Sequence, residues 1–332
     1  MVIEEKLKIL EPSQKMRSGL RRPLLIIVLA VFAIIPFLQS DYLNYMGMRI
    51  AIMALFALSF NILLGYTGLL SFGHAAFYGV GGYTAGLMLI HLTSELLLAI
   101  VAGAVLAGLT ALMVGYFCVK RTRIYFSMLT LAFGMLIYVV CYKWKSLTGG
   151  TESLGGIPRG KVFGLIDMFP LSRYYFFVLT ITVLGIYLIY RITKSPFGLL
   201  IQGIRDNENR IRFAGVMVKR YRLYVFTIAG FFSGLAGGLY ACLESTMFPT
   251  VCDWQSSAEP IMVTLVGGVE SFLGPIVGSV VFILLKEIIV RFTQEWLLVF
   301  GVILLVILMG FRGGIAKFIE RAFIPWERSS GE

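Results

Sequence analysis

The sequence predicts an all-α polytopic membrane protein of about ten membrane segments with an inverted internal repeat. Three observations predict it. The 332 residues are 58% hydrophobic and only 14% charged, where a soluble domain carries about 25% charged residues. The apolar residues come in runs of about 17–22, the helical length that spans the hydrocarbon of a bilayer. The runs are continuous rather than alternating, which argues for helices over a β-barrel. Charge supplies the third observation. Of 29 Lys and Arg, 21 fall in residues 1–22, 120–123, 191–222 and 312–332, the clustering of basic residues retained in cytoplasmic loops. The same clustering explains the net charge of +11 without a nucleic-acid partner.

Residues 1–22 read as a cytoplasmic N-terminal segment. The basic run before Leu24–Leu38 resembles a signal peptide, but no small-x-small cleavage site follows it and many spans do, so it reads as an uncleaved first span. Spans then fall near 23–38, 46–64, 70–90, 96–118, 124–141, 174–191, 222–242, 258–268, 272–290 and 296–312. Segments 23–318 make the transmembrane domain, and 319–332 a cytoplasmic tail. Segment 70–90 is rich in glycine. Segment 258–268 begins at Pro260 and ends in Gly267-Gly268; as a helix it reaches only roughly 17 Å. Counting both puts 120–123, 191–222 and 312–332 on the cytoplasmic side together with the N-terminus. Loop 142–173 then lies outside, although it holds five basic and two acidic residues.

Gly68-Leu69-Leu70-Ser71-Phe72-Gly73 is echoed by Gly268-Val269-Glu270-Ser271-Phe272-Leu273-Gly274. Each echo belongs to a set of four spans, 46–141 and 222–312, and the two sets start on opposite sides. Short or glycine-interrupted segments at matching places in two halves point to a transport pathway. Gly68, Ser71, Gly73, His74, Gly267, Gly268, Glu270 and Ser271 are therefore the candidate pathway residues, His74 because a histidine at membrane depth is a functional candidate by default. Gly230, Gly234 and Gly238 form a small-residue ridge for close helix packing.

Other motifs carry little. Gly155 to Lys161 matches GxxxxGK, but Val162 stands where a P-loop needs Ser or Thr for magnesium, and the loop lies outside. With two histidines, His74 and His91, and no acid/base or metal set, the chain reads as a non-enzyme. Of the four cysteines, none is spaced as a zinc site; Cys242 and Cys252 share one exterior, and spacing leaves their pairing open.

The charged stretch 191–222 is the most distinctive segment. Ser195-Pro196 can open a helix and Gly215 can close one. Asp206–Arg210 and Glu208–Arg212 are acid-to-base pairs at i,i+4. Leu200, Ile204 and Ile211 form an apolar stripe interrupted at Asn207. The segment predicts one amphipathic cytoplasmic helix, which lies either on anionic membrane lipid or, as its carboxylates favour, on a protein partner of mixed charge.

With these residues in hand, the chain resembles the permease subunits of ABC importers for branched-chain amino acids, of the LivM type. The resemblance rests on four stretches: Asn61 to Phe77, with Gly65, Gly68, Gly73 and His74; Ser146 to Gly150 with Gly155-Gly156-Ile157-Pro158; Ser195-Pro196-Phe197-Gly198 through Glu208; and Gly267-Gly268 through Ser271 and Gly274-Pro275. It implies that 191–222 is the loop that couples to an ATPase, with Gly198, Arg205 and Glu208 on the family's pattern and Asp206, Arg210 and Arg212 beside them. It implies a second related permease, two ATP-binding cassette ATPases that use ATP and Mg, an extracytoplasmic solute-binding protein, a small-molecule substrate and a prokaryotic plasma membrane, with no cofactor in this chain. Alternatives are the same architecture importing urea, short amides or another small polar solute, and a stand-alone secondary transporter. Two places depart from the family: Glu270 stands where Gly is usual, and the end reads Phe311-Arg312-Gly313-Gly314.

Overall fold

The computed structural model describes Pro36 and residues 40–120, 124–162, 164–293, 295–310 and 314–315. Segment 1–22, all of the first span 23–38 except Pro36, and the tail 319–332 lie outside the described residues. Among the described residues there are twelve α-helices: α1 Asp41–Asn61, α2 His74–His91, α3 Leu96–Cys118, α4 Ile124–Lys143, α5 Lys145–Thr148, α6 Leu171–Lys194, α7 Pro196–Asp206, α8 Glu208–Phe213, α9 Val218–Glu244, α10 Trp254–Gly267, α11 Gly274–Phe292 and α12 Trp296–Gly310. Four two-residue strands form two antiparallel pairs. β1 Leu154–Gly155 pairs with β4 Thr246–Met247, and β2 Lys161–Val162 pairs with β3 Ile166–Asp167.

Five helical stretches are long and apolar enough to cross a membrane: Asp41–Tyr66, Leu96–Cys118, Ile124–Lys143, Leu171–Lys194 and Val218–Glu244. The protein is thus a multi-pass helical membrane protein. The remaining helices fall short for readable reasons. Glycines and the two histidines dilute α2, Lys286, Glu287 and Arg291 interrupt α11, and α10 and α12 are short.

Burial sorts the helices into centre and rim. The apolar stretches of α1 and α9 are 89% and 78% buried, against 28% for α4 and for α6. A helix apolar on all sides and buried on all sides belongs in the middle of a bundle. Helix α9 packs on α3, α2 and α1, and its glycine ridge explains how. A Cβ on Gly230 would overlap Ala111 and one on Gly234 would overlap Ala107, while Gly238 lies against Ala85 and Ile100. On the other side, Gly81 meets the backbone of Gly234, and a Cβ on Gly237 would overlap the Tyr78 carbonyl. Such backbone-to-backbone approach replaces the hydrophobic drive that is absent between helices in lipid.

The loops gather at two ends. At one, Tyr42 at the start of α1 donates to Glu287 of α11 at 3.0 Å, Lys161 N–H donates to the Ser94 carbonyl at 2.7 Å, and β1 pairs with β4. At the other, the Ser127 hydroxyl at the start of α4 donates to the Leu70 carbonyl at 2.6 Å, and the Arg205 guanidinium of α7 donates to the Gly65 carbonyl. Consecutive long helices therefore run in opposite directions.

Two expectations change, and two open points gain detail. The short segment 258–268 is longer: α10 starts at Trp254, capped by the Asp253 carboxylate at 2.7 Å, and Pro260 lies inside it. Fourteen residues still reach only about 21 Å. The two glycine echoes do not occupy matching places, since the first precedes α2 and the second follows α10. The second loop meets the π-turn just before the first echo, because a Cβ on Gly65 would stand 2.7 Å from the Val269 carbonyl. The placement of the echo gives no support to an inverted repeat. The cysteines are all free and buried, and the Cys252 thiol lies 3.9 Å from Cys141 rather than beside Cys242. The GxxxxGK stretch is part of β1, β2 and the loop between them.

The glycine crossing generates a stability prediction. Gly237→Leu forces α2 and α9 apart, and overpacking of this kind costs about 1–3 kcal/mol or more. A lower melting temperature of the detergent-solubilised protein, with an unchanged value for a rim control such as Leu184→Ala, is the expected result.

Candidate coupling and translocation site

The charged stretch folds as two helices, not one. Ser195 caps α7, its hydroxyl accepting from Gly198 N–H at 3.4 Å, with Pro196 in the first turn. Gly198 is buried, and a Cβ there would overlap the Thr193 carbonyl. Ile201 and Ile204 face inward at 0% and 2% exposure. The helix ends at Asn207, whose backbone is extended at φ −154° and ψ 94°. The Asn207 side chain then caps α8, accepting from Arg210 N–H at 3.0 Å. An asparagine that bonds backbone ahead of itself favours a new N-terminus over a continuing helix. Gly215, at φ 83°, closes α8 in the left-handed conformation that glycine tolerates.

The break decides which charges meet. Glu208 receives Arg212 at 2.5 Å and Arg222 of α9 at 2.7 Å. Asp206 and Arg210 are exposed and form no ion pair among the described residues. The expected Asp206–Arg210 pair fails because the two residues lie on different helices. The Arg222 side chain is only 8% exposed, so its charge depends on Glu208. Partial burial pushes the Glu208 carboxyl up, but the Arg222 and Arg212 guanidiniums outweigh it and hold it below the ordinary carboxylate value.

Arg205 ties α7 to the glycine loops. Its guanidinium bonds the Gly65 carbonyl, and its Cγ would lie 3.3 Å from a Cβ on Gly68. Gly65 belongs to a π-helical turn, Ile62–Tyr66, that ends α1; single π-turns often mark functional sites. Beneath it lies Asn61, fully buried with neither side-chain polar atom partnered. The loop after it is stitched to α4 through Ser127 and through Phe72 N–H donating to Thr130 at 3.3 Å. Gly73 meets Gly134 with no room for a side chain. The second loop is as tight: a Cβ on Gly267 would overlap the Gly274 carbonyl, and Gly268 has φ 110°. Ser271 N–H closes the turn onto the Gly268 carbonyl at 3.4 Å. Glu270, which replaces the expected glycine, is exposed, so its side chain leaves this packing intact.

Ser71 and His74 do not face an open route in this conformation. Both are fully buried. The His74 ring packs against Phe56, Phe60 and Phe77, and its Nε2 lies 2.9 Å from the Ser59 hydroxyl. That hydroxyl already donates to the Phe56 carbonyl at 2.7 Å, so the histidine is the donor. Ser233 donates to the His74 carbonyl at 3.3 Å and Ser257 accepts from Ala75 N–H at 3.0 Å. The residue thus locks the first turn of α2 to α1, α9 and α10. Of the candidate pathway residues, Gly68 lies against Arg205, Gly267–Ser271 belong to the loop that Gly65 touches at Val269, and Ser71 and His74 are set in the core.

A multi-pass bundle whose braced charged loop holds two glycine loops has the build of a transport subunit. The comparisons agree. A family model, "Branched-chain amino acid transport system / permease component", matches residues 42–309, and the chain belongs to that family. The chain is 24% identical over 307 residues to "High-affinity branched-chain amino acid transport system permease protein LivM" of Escherichia coli, covering 86% of this chain and 72% of that protein. It is 22% identical over 311 residues to "Probable branched-chain amino acid transport permease protein LivM" of Methanocaldococcus jannaschii, with 76% and 86% covered. It is 22% identical over 273 residues to that organism's "Probable branched-chain amino acid transport permease protein LivH", with 78% and 84% covered. No solved structure matches.

Sequence reasoning missed Arg222, Leu199 and Phe213. Arg222 was counted as bulk charge, although its place one turn inside α9 and its burial make it the anchor of the loop. Leu199 and Phe213 are 68% and 92% exposed, apolar side chains on the outer face of a polar loop.

The Glu208 brace yields a pH-dependent prediction. Glu208→Gln leaves Arg222 buried without its carboxylate, and hydrogen bonds to charged groups contribute about 1.5–3 kcal/mol. Amide hydrogen exchange over 208–222 at pH 7 is expected to accelerate roughly tenfold or more. Because the folded carboxyl titrates below its unfolded value, the stabilisation is present above the unfolded value and is lost as pH falls through the folded one. Wild type and variant therefore converge in acid and differ at neutral pH.

Proposed function

We propose that this chain is one of two related permease subunits of an ATP-driven importer of branched-chain or other hydrophobic amino acids. It forms part of the translocation pathway and catalyses no chemistry of its own. The relatives' LivM and LivH names support a pair of permeases. Two ATP-binding cassette ATPases dock on the 191–222 loop and use the ATP and Mg, and a solute-binding protein delivers cargo on the far side. The protein sits in the plasma membrane of a prokaryote with both termini cytoplasmic. Ten membrane segments are reached when the span 23–38 is added to the nine helices α1–α4, α6 and α9–α12, and their alternation would make two four-segment sets of opposite direction.

One observation carries the coupling: Arg205 of α7 holds the end of α1 at Gly65, and Gly65 touches the α10–α11 loop at Val269. A movement imposed on α7 by a docked ATPase reaches both glycine loops through a single residue. We place the closure of the cytoplasmic end at these two loops. ATP-driven displacement of the loop opens it only if the partner binds the two states unequally.

Two outcomes test this. Phe213→Asp removes an exposed anchor without touching the core, and loss of one aromatic hot spot weakens association roughly tenfold or more. The measurement is the affinity of the purified ATPase for the permease in detergent. In proteoliposomes holding the permease pair, the ATPases and the binding protein, L-leucine uptake is expected to require ATP. Uptake by this chain alone, driven by an ion gradient, would overturn the reading in favour of a secondary transporter.

A further inference from the structure

At the end of the bundle opposite the charged loop, four helices bring charges together where an apolar core is expected. Arg49 lies in the third turn of α1, roughly 12 Å along the helix from Asp41. It is partly buried, and its guanidinium stands over the Tyr45 ring, 5.6 Å from the centroid. The Tyr45 hydroxyl donates to Glu244 Oε1, at the end of α9, at 2.6 Å. Glu259 of α10 is paired with Lys286 of α11 at 2.6 Å. Tyr240 completes the wall, its ring 5.6 Å from that of Tyr78 of α2. Arg49 lies within electrostatic reach of Tyr240, Glu244 and Glu259. None of Arg49, Glu244, Glu259, Lys286 and Tyr240 is fully buried, so the cluster borders open space.

The pairing is incomplete in an informative way. Glu259 and Lys286 satisfy each other. Arg49 makes no hydrogen bond or ion pair among the described residues, and Glu244 has only the Tyr45 hydroxyl. Among the described residues, one guanidinium and one carboxylate of this cluster remain without an ion-pair partner, presented on a common tyrosine. Charges at membrane depth are expensive and persist where they do work. A guanidinium offers forked donors to a carboxylate, and a carboxylate beside it accepts an ammonium.

We infer that Arg49 and Glu244, oriented by Tyr45, form a binding station for a zwitterion on the way in: Arg49 takes the α-carboxylate and Glu244 the α-ammonium of an amino acid released by the binding protein. The inference rests on the importer reading above and adds to it a substrate-contact site outside both glycine loops. A side chain of the cargo faces Tyr78 and Tyr240, which set no charge requirement on it. The neutral sum of the four charged residues keeps the station from holding the cargo too tightly to pass on.

The test uses the complete importer in proteoliposomes with L-leucine as probe. Arg49→Met and Glu244→Gln are each expected to lower ATP-driven uptake about tenfold or more, while ATP hydrolysis stimulated by the binding protein stays within about twofold of wild type. Arg49→Lys keeps the charge and is expected to recover part of the uptake. Uptake within about twofold of wild type in Arg49→Met overturns the station, as does a parallel fall of uptake and ATP hydrolysis, which marks a structural role. A wild-type importer that carries no leucine overturns the amino-acid reading and the station with it. Arg49→Cys adds a measurement independent of transport, since the four native cysteines are buried. A membrane-impermeant cationic thiol reagent added from the binding-protein side is expected to label it, and absence of labelling overturns the proposal.

Discussion

The contact on which the structure depends is the glycine crossing at its centre, where α9 lies directly against the backbones of α2 and α3. Gly230, Gly234 and Gly238 admit Ala111, Ala107 and Ala85, and Gly81 and Gly237 let α2 close from the other side. In lipid an apolar surface gains nothing by leaving its surroundings for another apolar surface, so the packing itself must hold the helices. The crossing also fixes the polar groups near it. His74 reaches Ser59 because α1 and α2 are held at this separation, and Ser233 reaches the His74 carbonyl because α9 is.

The same two central helices reach both ends of the bundle. Helix α9 carries Arg222 in its first turns, held by Glu208 of the charged loop, and ends with Glu244 at the opposite end, with the glycine ridge between. Helix α1 begins with Tyr45 and Arg49 at that mouth and ends at Gly65, held by Arg205. A close-packed pair of helices transmits displacement as a body, because packed interiors resist local compression. The charged loop 191–222 therefore grips the two elements that also hold Arg49 and Glu244. Helices α4 and α6, far less buried, carry none of these groups.

Much of the architecture was legible in the sequence, and the exceptions have physical causes. Run length and charge clustering gave the long helices, because a bilayer imposes a length and a sidedness that composition records. The glycine ridge was legible because its period matches a helix face. The break at Asn207 was not: i,i+4 counting treats Asp206–Arg210 and Glu208–Arg212 alike, whereas an asparagine cap separates them and only the second pair forms. The echo of Gly68–Gly73 in Gly268–Gly274 was real as a likeness, but the placement of the two loops lends the inverted repeat no support. The two loops resemble each other because both must reverse the chain with no space for side chains, at the same end of the bundle. Arg49 was missed because a single basic residue inside a span contributes nothing to clustering, and its neighbours Glu244 and Glu259 are distant in sequence.

These errors share a direction. Sequence patterns report what one helix needs from its surroundings, namely apolar length, a cap or a smooth face. They do not report which helix supplies it. The Glu208–Arg222 brace, the Arg205–Gly65 tether and the Tyr45–Glu244 bond all join elements far apart in the chain. In a transporter such joints are where the work is done, since a site that must open and close cannot be built within one helix whose hydrogen bonds are already complete. The candidate residues proposed above are polar groups whose partners the fold supplies, set at the two ends of helices whose middles are fixed by glycine.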